Sequence, residues 1–175
     1  MINQTNPIKN ISVYELSEIL NGLVFDRTQS DVDYAVYCMR NCVHTDENLK
    51  GAYNISDKNR VAEAVKYINE CSRYNGKYEA RVKIRDGWNM TDIIKPEDNE
   101  EVLTALKYLK SFLPEAATPE IPDSLDNLTY AAANAVERIL YELCGLYERY
   151  LDTWLYSGEA YASGFDPHNW KGWDN

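Results

Sequence analysis

The sequence predicts a mainly α protein, a small helical bundle with a long C-terminal helix and a minor strand or hairpin element near residues 77–94. Three observations lead there. Apolar residues recur at steps of three and four along most of the chain. The longest such stripe runs through Leu128, Ala132, Ala135, Ile139, Leu143, Leu146, Tyr150 and Trp154. Only one stretch, Tyr78 to Arg85, alternates apolar and charged residues with period two. With 175 residues, 45% of them hydrophobic, the chain is long enough for one domain with a real core.

Taken in order, residues 1–24 read as an N-terminal arm, with helical spacing in Ile11, Tyr14, Leu16, Ile19 and Leu20 and a stop at Asn21-Gly22. A helical domain is expected over 25–156. Its first helix is capped by Thr28 or Ser30, with Asp31 and Asp33 in the first turn, where negative charge suits the helix dipole. Val32, Ala35, Val36, Met39 and Val43 form its stripe. After the loop "HTDENLKGAYN" comes the clearest helix, "ISDKNRVAEAVKYINECSRYNG", with Ser56 as the expected N-cap and Val61, Ala64 or Val65, Ile68 and Cys71 inward. "KYEARVKIRDGW" reads as a half-buried strand. A further helix starts at about Pro96, a residue suited to a first helical turn, and points Val102, Leu103, Leu106 and Leu109 inward. "PEAATPEIPDSLDNL" is a Pro-rich connector to the long last helix, expected from about Leu128 to Tyr156.

Composition narrows function. The formal net charge of -10 argues against nucleic acid and anionic membrane as partners. No stretch approaches the roughly 20 apolar residues of a membrane span, and the first ten residues lack the apolar run of a secretory signal. Of the four cysteines, Cys38 and Cys42 sit four apart with His44 nearby, but no second ligand pair accompanies them, so no metal and no cofactor are expected. The two histidines, His44 and His168, meet no nucleophile motif or phosphate-binding loop. Asp166 and His168 make at most an acid–base pair without a third group. An enzyme is not expected.

Five segments resemble a pattern found in small proteins encoded in the tail-gene clusters of phages and prophages of Gram-positive bacteria. "FDRTQSDVDYA" is similar to that family's "yDRTqaDVdrv", and "LKGAYNISDKNRVAEAVKYI" to "lkGayNasDlNRve.a..YLa". "WNMTDIIKPEDNEEVLTALKYLKSFL" resembles its "W...DiPt...m.rylgNv..lr" segment. "PEIPDSLDNLTYAAANAVERILYEL" matches "PelPasmd.Lty.gANaiEkiL.dl", and "WLYSGEAYASG" the "w.ysGe.y.G" ending. The order holds across most of residues 25–164. Asn99 to Ala105 lacks a clean "Nv" match, and "HNWKGWDN" extends beyond the pattern. The resemblance implies a virion structural or adaptor protein of the tail tip, baseplate or fibre region. It would be made in the host cytoplasm and assembled with other virion proteins or copies of itself, as a homo-oligomer in an assembly. The Asn, Asp and Gly positions of the pattern read as turns and caps, none of them catalytic.

Residues 157–175 form an aromatic C-terminal arm. Gly158, Gly164 and Pro167 are expected to break the helix and release it. Large rigid aromatics anchor protein interfaces, and Trp154, Tyr156, Tyr161, Phe165, Trp170 and Trp173 are the candidate partner-binding residues. Folding back on the parent domain is the alternative for this arm. Two other functions fit less of the sequence. One is a receptor- or glycan-binding module in which Trp170 and Trp173 stack on sugar rings. The other is an intracellular phage protein that blocks a host factor through an acidic face, although Lys and Arg are interleaved through every predicted helix.

Overall fold

Five helices succeed one another in a computed structural model: α1 (Val13–Gly22), α2 (Gln29–Arg40), α3 (Ile55–Tyr74), α4 (Pro96–Ser111) and α5 (Tyr130–Ala162). The described residues are 13–43, 49–74, 82–113 and 116–162, with 13–17, 70–74, 148 and 150–162 described by backbone alone. The mainly helical class is as expected. Helices α3 and α5 form the central pair, α4 packs on both, and α1 packs on α3.

The core lies where these helices meet. Val61, Val65 and Ile68 of α3 face Leu106 and Leu109 of α4 and Ile139, Leu140 and Leu143 of α5. Full burial of each such side chain contributes about 1.5–3 kcal/mol. The first residues, expected as an arm, are partly docked: Leu23 is buried in the core, and Ile19 and Leu20 pack against it.

Local chemistry sets the helix starts. The Thr28 hydroxyl accepts from the Asp31 amide at 3.3 Å, and Asp31 Oδ2 accepts from the Thr28 amide at 2.7 Å. That reciprocal pair is a capping box, and its hydrogen bonds hold the Asp31 carboxyl below its ordinary range. At α3 the cap is Asn54 rather than the expected Ser56. Asn54 Oδ1 accepts from the Ser56 amide at 2.8 Å, while the Asn54 amide donates to Asp57 Oδ2 at 2.7 Å. Ile55 is already helical, which leaves Ser56 inside the first turn. Pro96 opens α4 as expected, and the Lys95 amide donates to Asp98 Oδ2 at 2.8 Å. The Thr129 hydroxyl accepts from the Ala132 amide at 3.1 Å and starts α5.

Other expectations are corrected as well. Among the described residues there is no strand. Val82 and Ile84 do pack against the core while Lys83 and Arg85 face water, so the alternation is real. The segment covers helices and has no neighbouring strand to complete a ladder; residues 77–81 lie outside the described part. The stripe on α2 is rotated from the expected one: Ala35 and Cys38 are buried, whereas Met39 and Val43 are 61% and 43% exposed. Finally, α5 continues through Gly158 to Ala162, six residues past Tyr156. A single interior glycine costs a helix only about 1 kcal/mol, and no proline intervenes before Pro167.

The face of α5 is also turned from the expected one. Ile139 and Leu143 are buried as read, but Ala133, Val136, Glu137, Leu140, Cys144 and Tyr147 complete the buried face. Leu128, Ala132, Ala135 and Leu146 are only half-buried. Glu137 explains the error, because a carboxylate at one edge of the buried face pushes any polarity-based reading to the other side. No described helix is long and apolar enough to cross a membrane.

Candidate functional site

The buried polar residues come together at one place, where the chain before α2, the start of α3 and the first turns of α5 meet. Arg27 is 4% exposed, Asp57 5% and Glu137 0%. Arg27 precedes the α2 cap, and its guanidinium donates to four acceptors. Nε reaches the Lys50 carbonyl at 3.1 Å, Nη1 the Val24 carbonyl, and Nη2 both Asp57 Oδ1 and Glu137 Oε1 at 2.8 Å. Arg60 approaches from α3. Its Nε donates to Glu137 Oε2 at 3.2 Å, and its Nη2 also bonds Asp57. The Val24 amide donates to Glu137 Oε2 at 2.5 Å. Burial alone favours a neutral Arg60, yet the hydrogen bonds and charges of Glu137 and Asp57 outweigh it and raise its pKa. Two cations and two carboxylates thus cancel, and each carboxylate is held by several donors, the condition under which buried charge is tolerated.

Around this cluster the backbone is pinned. Asn134 on α5 accepts from the Arg27 amide at 3.0 Å and donates to the Arg27 carbonyl at 2.8 Å. Tyr53 lies beneath the Arg27 guanidinium, 5.5 Å from its ring centroid. Burial, reinforced by the charges of Glu137 and Asp57, pushes the Tyr53 phenol well above its ordinary value, so it stays protonated. Gly51 lets the 49–53 loop approach the first turn of α2. A Cβ there would fall 2.0 Å from the Asp31 carbonyl oxygen, a backbone atom that cannot swing aside. Gly51→Ala is therefore expected to cost about 1–3 kcal/mol, as overpacking does; an unchanged melting temperature would show that the loop moves freely.

A second clamp holds the segment between α3 and α4. Asn59 Nδ2 donates to the Trp88 carbonyl at 2.9 Å, and the Trp88 amide donates to Asn59 Oδ1 at 2.8 Å. Trp88 is 6% exposed, and its indole donates to the Arg85 carbonyl at 3.1 Å. Arg85 lies 4.0 Å and Lys58 5.2 Å from its ring, a cation–π pair. Lys58 also donates to Asn99 Oδ1 at 3.0 Å, and burial lowers its pKa against the opposing pull of Asp98.

Between these two clamps a groove of about 910 Å³ opens. Val61, Val102, Ala133 and Val136 lie among its apolar lining, and Lys58, Arg85 and Lys95 share its polar lining with Asp98 and Asp126. Its volume is at the upper end of ligand pockets, enough for a few large side chains. Ile94 and Met39 beside it are 45% and 61% exposed.

Three of the segments quoted above meet here. Arg27 comes from "DRT", Gly51, Tyr53, Asn54, Asp57, Asn59 and Arg60 from "GAYNISDKNR", and Asn134 and Glu137 from "ANAVE". The polar positions expected as turns and caps include such roles, at Thr28 and Asn54, but the ion cluster escaped the sequence reading. Its local trace in the sequence is Glu137, a carboxylate between Val136 and Leu140 on α5; Arg27 lies in the coil before α2 and belongs to no stripe. Cys38 is buried and Cys42 exposed, so they do not share a site. Among the described residues no group of three or more His, Cys, Asp and Glu is placed to hold a metal ion. Trp154, Tyr156 and Tyr161 fall on α5 beyond the residues whose side chains are described. Phe165, Trp170 and Trp173 lie outside the described residues altogether. No protein family, no characterised protein and no solved structure matches this chain.

Proposed function

We propose that this protein is a structural or adaptor component of a phage particle, in the tail or baseplate, and that it acts by protein–protein assembly rather than by chemistry. The observation that carries the reading is the convergence of the "DRT", "GAYNISDKNR" and "ANAVE" residues on a neutral, fully bonded ion cluster. A catalytic site keeps a nucleophile or base open to substrate. Here the guanidiniums and carboxylates are committed to one another, and Tyr53 keeps its proton. Such a cluster orients three chain segments and leaves the groove beside it as the surface on which a partner can seat. The protein works as part of a homo-oligomer or with other virion proteins, without cofactor, metal, nucleic acid or membrane. Phage particles purified from a host expressing an epitope-tagged copy, decorated with gold-labelled antibody and imaged in negative stain, test this. Label at one end of the tail is expected; clean particles with the tagged chain left in the lysate would refute it.

A further inference from the structure

We infer that the groove beside the ion cluster receives the aromatic segment 163–175 of a second copy of this chain. The inference rests on the assembly reading above and names the contact through which it operates. Length decides between the two copies. Val136 lines the groove, and α5 runs on from it to Ala162. Those 26 residues carry the helix end roughly 39 Å away at 1.5 Å per residue. Trp170 is 8 residues beyond Ala162 and can return roughly 29 Å at most, about 10 Å short. Trp173, 11 residues on, spans roughly 40 Å only as a taut strand. Phe165, Trp170 and Trp173 therefore cannot enter their own groove together, whereas another copy's groove carries no such restriction.

Chemistry agrees with that occupant. The chain is acidic overall, yet the groove presents Lys58 and Lys95 beside Asp98 and Asp126, and neither lysine forms a salt bridge within 4 Å among the described residues. The segment "SGFDPHNWKGWDN" offers Asp166 and Asp174 to those ammonium groups, Lys171 to the groove's carboxylates and three large aromatic rings to the apolar floor. Trp88 is already flanked by two cations, so a further indole at the groove mouth meets the same cation–π surface. Aromatic side chains with few aliphatic neighbours suit a groove as anchors, since each brings a large contact area with two rotatable bonds.

Two measurements on the full chain test the inference. In sedimentation velocity over a concentration series, the wild type is expected to self-associate and the W170A/W173A double variant to run as a monomer, with equal melting temperatures at a concentration where both are monomeric. A fluorescein-labelled peptide of residues 163–175 is then titrated with that double variant, whose grooves are free of competing segments. Binding is expected, weakened at least tenfold by adding Ile94→Asp with Lys95→Glu and weakened by salt. Both rim residues are exposed, so the fold should tolerate them; should the melting temperature fall, Lys95→Glu alone carries the comparison. The inference fails if the peptide does not bind, or binds the rim variant equally well. It fails too if W170A/W173A lowers the melting temperature of a chain that is monomeric throughout, which would place the segment on its own domain. Particle labelling is read independently, so a tail protein without this contact and a self-associating protein outside the tail give different results.

Discussion

Glu137→Ala should destabilise the protein by about 3–5 kcal/mol, the range for removing one partner of a buried ion pair. The carboxylate is wholly buried and accepts from Arg27, Arg60 and the Val24 amide. Removing it leaves two guanidiniums with only Asp57 between them, plus an unbonded amide. Domains are commonly stable by about 5–15 kcal/mol, so this single change takes a large share. At roughly 2–4 °C per kcal/mol for a chain of this size, the melting temperature should fall by about 6–20 °C. Replacing Arg27 and Glu137 together by apolar residues of similar volume should cost less than the two single changes added, because each single change strands the other's charge. Additive losses, or a melting temperature unmoved by Glu137→Ala, would mean that the cluster is open to water and contributes nothing beyond a surface pair.

Much of the architecture is legible in local chemistry. Thr28 with Asp31, and Pro96 before Glu97 and Asp98, mark helix starts because the groups that satisfy a first turn sit within three residues of one another. Leu103, Leu106 and Leu109 are buried as their spacing predicts, since α4 has one apolar face and no competing charge upon it. Long-range chemistry is harder to read. Arg27, Asp57 and Glu137 are separated by up to 110 residues, and nothing in the spacing of a single charge says that its partner lies on another element. Polar residues are read outward by default, which hid the cluster and turned the α5 stripe. The period of two, where it is described at 82–85, marks no strand for a related reason. Alternation records one covered face and one wet face, and a helix bundle can cover a coil as well as a sheet can cover a strand.

The turned face of α5 gives the second large effect. Leu140→Ala should cost about 2–5 kcal/mol. Leu140 is 0% exposed and lies in the same cluster as Val65 and Ile68 of α3 and Leu106 and Leu109 of α4, so truncation opens a cavity that rigid helices on both sides cannot close. Leu146 belongs to the stripe read from the sequence but is only half-buried at the edge of the core. Its removal deletes area that water can reoccupy, with no cavity term, and should cost clearly less. The pair therefore measures the rotation of the helix. Leu143 is 0% exposed and belongs to both faces, so Leu143→Ala is severe under either orientation and serves as the reference. Chemical denaturation of the three alanine variants with unchanged m-values should rank Leu140 with Leu143 and leave Leu146 well below them. Leu140, Leu143 and Leu146 are spaced about 60° apart around a helix of 3.6 residues per turn, so the reverse order, with Leu146 as costly as Leu143 and Leu140 mild, would turn α5 by about 60–120°. Such a rotation would carry Glu137 out of the ion cluster along with it.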